Sequence, residues 1–567
     1  MLKELGDREE IKSDVLVIGG GFGGLWSAIR AAECKSSVTL VDKSFAGKAG
    51  HSYFASGLMM VMLPDDDLNE YVSDVVAGNE WLVDQEMVAA VFENSYRRLK
   101  DMESFGIHFR KTKGQYVSTR ARGTKHIKNV WLENATAAEV VTILRKLAIH
   151  KGVKFLDHIY VYDLLKNAEG NIGGALGIGV NSFQNYLLKA KSVVIATNTG
   201  GYKGHHLASE LQGTGPFMAY EAGARIKNPE FHFINIRPSK HEIEGSGILP
   251  AVGARWINGK NEYFMDRYDP VLKDRAPVCK IIVAAAQEAM KGNAPISIDV
   301  RSMKEEEREK FHLLMVSHGW QSILFEKCKS EEGYDFLRDN IEWKPAYECN
   351  KLGIDTDLTG KSSVYGLYAA GMARILGINP FTGWSIASCT WSGYVTGESA
   401  SEVAHHTDFK EIDLSHVSEG KKTFFEPLER ESGVDPDRLI RELQKILFPA
   451  DVLIIMSEPR LRNALNRVIE LKETKGSSLK AKDVRTLIRA REAQTMMLSA
   501  EMTLRASLMR KETRGSIFYR EDYKTPDNKN WLKWIVVEKG RDGEMNFKTE
   551  DIPFEKYPLK PEFHGSV

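Results

Sequence analysis

Apolar residues change their spacing from segment to segment along this chain, and each change predicts an element. Val15-Leu16-Val17-Ile18 is a continuous apolar run of strand length. After a cluster of glycines, Leu25, Ala28, Ile29 and Ala32 recur three and four residues apart, which predicts a helix with one buried face. Val38–Val41 is a second short apolar run, so residues 14–42 read as β-α-β. Helical spacing returns at Met87, Val88, Val91, Phe92, Tyr96, Leu99 and Met102, with Gly106 as the stop. It returns again over 134–150, where Asn134 or Thr136 is the expected cap. Val153–Leu156 and Tyr160–Leu164 read as strands, and Ile172–Val180 with Tyr186–Ala190 as a hairpin. Lys191–Ala196 reads as an apolar strand that ends in a second glycine turn near 196–201.

From 228 to 350 aromatics, His and Pro become dense, interrupted by helical patterns near 275–291 and 303–315. A doubly wound pattern resumes at 364–402, with strand Val364–Ala370, then Gly371, a turn-rich loop and a helix from Ser385. Beyond 420 the chain is charged and helical; Leu465, Val468, Ile469 and Leu471 mark one helix, and Val484, Leu487, Ile488 and Ala493 mark another. The last fifty residues carry few helix signals and several prolines. The expected fold class is α/β: a split Rossmann-like domain (1–225 and 355–410), an inserted α+β capping domain (226–354), a C-terminal helical domain (411–510) and a tail (511–567).

The 567 residues, 43% hydrophobic and 27% charged, suit several domains around large cores. Lys+Arg and Asp+Glu are 77 each, so no overall charge draws the chain to nucleic acid or an anionic membrane. The opening MLKELGDREEIKS is too polar for a signal peptide, and no apolar run reaches transmembrane length. A cytoplasmic location is expected, with membrane association only through partner subunits. Cys34, Cys279, Cys328, Cys349 and Cys389 form no C-x-x-C pair, so neither a disulfide framework, an iron–sulfur site nor another metal site is expected in this chain.

Gly19, Gly21 and Gly24 fit G-x-G-x-x-G between a strand and a helix, with Phe22 and Gly23 inside the turn, and Asp42 followed by Lys43 closes the second strand. This context specifies a dinucleotide: the turn admits a pyrophosphate at a helix N-terminus, and the acid meets a ribose hydroxyl. The fingerprint alone does not choose FAD over NAD. The choice comes from the strand that returns late, Val364-Tyr365-Gly366-Leu367-Tyr368-Ala369-Ala370-Gly371, as in two-domain flavoproteins whose dinucleotide fold is split by an insertion. The second glycine turn adds Ala196 and Thr197 as cofactor candidates. A helix beginning at Thr382-Gly383-Trp384-Ser385 adds Ser385 and Ile386, with a positive dipole end suited to an anionic reduced flavin.

Further segments carry a resemblance over nearly the whole chain: Ala77-Gly78-Asn79-Glu80-Trp81, Gly213-Thr214-Gly215-Pro216-Phe217-Met218-Ala219 with Ala222-Gly223-Ala224, Gly245-Ser246-Gly247-Ile248-Leu249, Glu512-Thr513-Arg514-Gly515, Arg520-Glu521-Asp522-Tyr523 and Asn530-Trp531-Leu532. In this order they resemble the flavoprotein subunits of the fumarate reductase and succinate dehydrogenase family, which includes L-aspartate oxidase and adenylylsulfate reductase; the C-terminal part is most similar to the adenylylsulfate reductase alpha subunit. The resemblance implies a FAD-binding domain, a cap over the substrate and electron exchange with a separate, ferredoxin-like iron–sulfur subunit. In covalent members a His six positions before a Gly is bonded to the flavin; His51 and Gly57 have that spacing, with Ser52 next. Two readings of His51 stand, hydrogen bonding to the flavin and covalent attachment to it.

The family's dicarboxylate residues are absent. R-G-E-G-G is missing after Leu249, the histidine segment becomes Glu348-Cys349-Asn350-Lys351-Leu352-Gly353, and the late arginine region is Ile378-Asn379-Pro380-Phe381-Thr382-Gly383. The family's FAD-contacting glutamate is Met372. Loss of bidentate arginines argues against fumarate and succinate. Arg237, Arg255 or Arg374 are candidates for holding a substrate anion, and His232 or His241 for moving protons. Asn235 and Lys240 add polar donors nearby, and Trp256, Tyr347 and Trp384 are either stacking platforms or core. The expected function is that of a FAD-dependent oxidoreductase catalytic subunit, which passes two electrons between flavin N5 and a small anionic or unsaturated substrate. The alternatives are adenylylsulfate reductase-like activity and a non-catalytic FAD electron-transfer scaffold.

Overall fold

The computed structural model describes residues 9–204, 211–239, 248–251, 253–301, 303–316, 320–333, 335–379, 381–515 and 517–561. The opening strand Glu9–Ile18 feeds helix Phe22–Glu33 and strand Val38–Asp42. Val15 to Ile18 are all buried, as a parallel strand covered on both faces requires. The sheet runs Lys154–Asp157, Val38–Asp42, Glu9–Ile18, Asn185–Ile195, Ile172–Gly179, Ile159–Lys166, with Leu367–Ala369 added to Asn185–Ile195. Ile18 stands between Val41 and Ile195, and Ile195 stands beside Ala369, so the C-terminal ends of these parallel strands share one edge.

Three sequence expectations change here. The separate strands Tyr186–Ala190 and Lys191–Ala196 are one strand, Asn185–Ile195. Its first half is antiparallel to Ile172–Gly179, and its last residues run parallel to Leu367–Ala369. The predicted strand Val364–Ala370 shortens to Leu367–Ala369, because Gly366 takes φ +82° and the chain turns there. The helix expected over 134–150 begins at Ala138, with the Thr136 hydroxyl accepting from the Ala138 amide.

Helix Trp384–His405 lies against the opening helix at backbone distance. A Cβ on Gly393 would come within 2.5 Å of the Gly23 carbonyl, and the Ser27 hydroxyl reaches the Gly393 carbonyl at 3.0 Å. In the insertion, strands His232–Pro238 and Trp343–Asn350 pair antiparallel, and helix Val278–Met290 packs over a core that includes Trp256 and Trp343. Helices Leu414–Glu429, Pro436–Leu447, Glu458–Thr474 and Val484–Met509 follow.

The segment read as a tail holds a β-hairpin, Lys533–Lys539 with Met545–Asp551. Ile535, Val536 and Val537 are fully buried, and their strand pairs with Ile226–Lys227, which pairs with Gly353–Ile354. The chain's end therefore joins the two places where the insertion leaves and rejoins the first domain. Beside that sheet, Arg510, Glu230, Glu512 and Arg514, each 1% exposed or less, form one ion cluster.

Candidate active site

The parallel strands end at a cavity of about 410 Å³ that runs from the first glycine turn, past His51, to the strands of the insertion. Gly19 takes φ +107°, and a Cβ there would stand 2.5 Å from the Ala196 carbonyl, so the two strand ends meet only because it is glycine. Gly24 faces away from the cavity; a Cβ on it would lie 1.8 Å from the Gly19 carbonyl, so its role is to let helix approach strand. Gly19, Gly21, Phe22 and Gly23 line the cavity.

Asp42 accepts from the amides of Gly20 and Ser44, each at 2.7 Å, which aims the carboxylate at the cavity floor. Burial pushes its pKa up against the pull of these amides. Lys43 borders the same end, 3.5 Å from Glu492 and hydrogen-bonded to Gln212.

Three helix N-termini open into this cavity. Helices Phe22–Glu33, Thr214–Glu221 and Trp384–His405 start after Gly21, Gly213 and Gly383; none is capped by its own N-cap side chain, and none has an acid in its first turn. The Phe22 amide donates to Ser52 and the Trp384 amide to the Phe381 carbonyl, and the other first-turn N–H groups and the positive dipole ends attract anionic or electron-rich groups. The Thr197 hydroxyl oxygen is buried at the wall without a hydrogen-bond partner. This cradle fits FAD. The glycine turn and first helix would meet the pyrophosphate, Asp42 would meet the ribose, and the helices after Gly213 and Gly383 would face the remainder. Ala196, Gly371, Ser385 and Ile386 line the same wall. His51 lines it from the short helix His51–Phe54; Ser52 lines it too, its hydroxyl accepting from the Phe22 amide at 3.2 Å. Gly57 does not reach the cavity. It takes φ +69° against the backbone of Ala135 and Thr136.

The insertion supplies the opposite wall. Phe233, Asn235 and Arg237 share one face of strand His232–Pro238 by the two-residue period. A β-bulge in the partner strand leaves Glu348 extra between Cys349, opposite Phe233, and Tyr347, opposite Ile234. Glu348 accepts from Asn235 Nδ2 at 3.2 Å and from Arg237 Nη2 at 3.4 Å. Phe233, Arg237, Glu348, Cys349 and Lys351 all line the cavity.

The other candidate side chains stand elsewhere. His232 points to the reverse face, where its Nε2 lies 2.7 Å from the Leu453 carbonyl and its ring stacks on Tyr347; burial pushes its pKa down. Arg255 is held inside the cap by Asp274 at 2.9 Å and Asp266 at 2.5 Å. Arg374 is buried, donates to the Asp357 carbonyl at 2.8 Å and lines a separate void of about 30 Å³; burial pushes its pKa down to about 10. Trp256 packs on Trp343 in the cap core, and Trp384 donates to the Leu376 carbonyl. Lys240, His241 and Gly245 to Gly247 lie outside the described residues. Of the three described residues among those nominated for catalysis, His232, Arg237 and Arg255, only Arg237 lines the cavity. Lys351, Glu348, Gln212 and Thr214 also line it, and sequence reasoning had not put them there. A strand alternation count across 232–237 would have separated His232 from Arg237.

Two family models match the chain: a FAD binding domain over residues 14–386 and a fumarate reductase flavoprotein C-terminal region over 440–564. A CoM/CoB fumarate reductase chain from Methanothermobacter marburgensis is 24% identical over 94% of this chain and 98% of its own length. A Coxiella burnetii succinate dehydrogenase flavoprotein subunit is 25% identical over 94% and 95%. Among solved structures, an E. coli quinol fumarate reductase FrdA variant aligns with TM-score 0.88 at 20% identity, covering 98% of both chains. Adenylylsulfate reductase from Archaeoglobus fulgidus aligns with TM-score 0.79 at 21% identity, covering 96% of both.

Proposed function

The chain belongs to the fumarate reductase and succinate dehydrogenase flavoprotein family of FAD-dependent oxidoreductases, and on that premise we propose that it is the catalytic subunit for a small anionic or unsaturated substrate other than fumarate or succinate. The observation that carries this reading is the single cavity shared by the nucleotide cradle and the Arg237–Glu348 wall of the cap. Bound FAD supplies two-electron chemistry at its ring system. The chain's own residues bind and orient: Asp42 and the three helix N-termini would hold the cofactor, and the cap strand presents the substrate-binding groups to it. Water is limited by Phe233, Leu211, Phe381 and Met372 around the cavity.

Two features favour a substrate other than a dicarboxylate. Arg237 stands beside a carboxylate, which offsets its charge, and Arg255 and Arg374 do not line the described cavity. A dicarboxylate clamp needs guanidinium charge for each end. We also propose that electrons pass to or from a separate iron–sulfur protein. Kinship to flavoprotein subunits and the dispersed cysteines support that reading. No helix among the described residues is long and apolar enough to cross a membrane.

The test is reoxidation of the photoreduced holoenzyme by fumarate, singly charged enoates and adenylylsulfate, followed by flavin absorbance. Rapid reoxidation by at least one small anion, faster than by fumarate, is expected. Flavin that stays reduced with every acceptor would leave the scaffold reading in its place.

A further inference from the structure

We propose that Lys351 is the anion anchor of the cavity and that it holds a singly charged substrate group, such as one carboxylate or one sulfonate. This rests on the reading of the cavity as the substrate site. Lys351 is 8% exposed, yet it lines the cavity. Its amide donates to the Phe231 carbonyl at 2.8 Å, which fixes the backbone just past the cap strand. Its ammonium stands 5.5 Å from the Phe233 ring, and among the described residues no carboxylate pairs with it. A buried ammonium is poorly stable without a counter-ion, and a ring face replaces only part of its lost hydration. The missing negative charge is then the ligand's.

The neighbouring charges set how much negative charge the ligand brings. Among the described residues of the cap wall, Arg237 is offset by Glu348 at 3.4 Å, and Lys351 adds one positive charge. Lys43 is already beside Glu492 at the nucleotide end. A monoanion balances this wall, whereas a dianion leaves a second charge buried beside Glu348. Cys279 and Cys349 report the same local field. Burial pushes their thiols up to about 11 and about 12, and the nearby Lys351 charge opposes that rise in both. Phe233, Cys349 and Leu211 give the rest of the ligand an apolar setting.

The experiment uses FAD-replete protein. Crotonate, methanesulfonate, fumarate and neutral crotonamide are titrated against the flavin difference spectrum of wild type, Lys351→Met and Lys351→Arg. Crotonate or methanesulfonate is expected to bind wild type more tightly than fumarate. Lys351→Met should weaken that binding at least about 30-fold and Lys351→Arg less than about fivefold, since a buried charge partner is removed in one and kept in the other. FAD content and crotonamide binding stay unchanged. Equal monoanion affinity in wild type and Lys351→Met overturns the assignment, as does the lack of any saturable response up to about 50 mM. A bromide-soaked crystal of wild type gives a second readout that needs no variant: an anomalous peak within hydrogen-bond reach of Lys351 Nζ is expected, and its absence refutes the anchor. A chain purified without flavin would instead defeat the flavoenzyme reading, so the two fail separately.

Discussion

Changing one atom of Glu512 unbalances a buried ion cluster. Its carboxylate accepts from Arg510 Nη1 at 2.7 Å, Arg514 Nε at 2.7 Å, Arg514 Nη2 at 2.5 Å and the Asp527 amide at 2.9 Å. Glu230 supplies the second carboxylate, on Arg510 at 2.7 Å. Two positive and two negative charges balance out of contact with water. Glu512→Gln keeps the shape but removes one negative charge, and its amide N–H groups face guanidinium N–H groups. Leaving a buried charge uncompensated costs about 3–5 kcal/mol. At about 1.4 kcal/mol per decade, the lower figure raises the local opening equilibrium roughly 100-fold. Amide hydrogen exchange reads this directly. The amides of Asp527, Arg514 and strand Lys533–Lys539 should exchange roughly 100-fold faster, while Val15–Ile18 in the distant sheet stays within about twofold. Replacing Glu512→Leu together with Arg514→Met leaves Arg510 balanced by Glu230 and should restore most of the protection, because an apolar pair of similar volume is often neutral. If Glu512→Gln leaves exchange at the hairpin unchanged, the cluster does not hold the C-terminal segment to the cap, and the argument falls.

Three other outcomes follow from the same geometry. Gly24→Ala puts a Cβ 1.8 Å from the Gly19 carbonyl, where contacts under 3.0 Å do not occur, so helix and strand must part by at least 1.2 Å (3.0 − 1.8); FAD affinity, measured by titrating apoprotein, should fall about 100-fold. His51 is expected to hydrogen-bond the flavin: yellow colour should pass an ultrafilter after denaturation, and His51→Ala should weaken FAD binding about tenfold; colour retained by denatured wild type would establish the covalent reading instead. Glu288 is pushed up by burial but pulled further down, to about 2, by donors on Asn258, Asn293, Tyr268 and Arg267. With the folded pKa below the ordinary 4.5, its contribution is present above that pH and is lost as pH falls toward 2. Glu288→Gln should therefore flatten the acid limb of a melting-temperature profile, and an unchanged limb would refute its part in it.

The first domain was legible because its determinants are local. Val15–Ile18, the glycine spacing and Asp42 lie within one β-α-β, and burial on both faces writes itself as an unbroken apolar run. The strand Asn185–Ile195 was misdivided because its two halves face different partners, antiparallel then parallel, and the residue pattern shifts at the change without the backbone breaking. The hairpin of Lys533–Lys539 and Met545–Asp551 was missed for another reason. Its second strand has no buried residue and carries no apolar run, and the strand on its other side, Ile226–Lys227, is two residues long and about three hundred positions earlier.

The candidate site divides along the same line. The cofactor cradle is made of backbone, so glycine marks it: Gly19 and Gly383 each combine a positive φ with an approach that a side chain forbids. The opposite wall is made of side chains whose direction depends on register. His232 and Arg237 are five positions apart, an odd number, so an uninterrupted strand sends them to opposite faces, and the two were never compatible as partners in one cavity. Glu348 shows the reverse case. In unbroken register it would stand opposite Ile234, away from Phe233, Asn235 and Arg237; the extra residue of the bulge is what brings its carboxylate to Asn235 and Arg237. One inserted position thus sets the charge of the wall that Lys351 completes. A deletion that removed the bulge would leave the composition of the segment nearly the same while turning Glu348 out of the cavity and leaving Arg237 and Lys351 to favour a dianion.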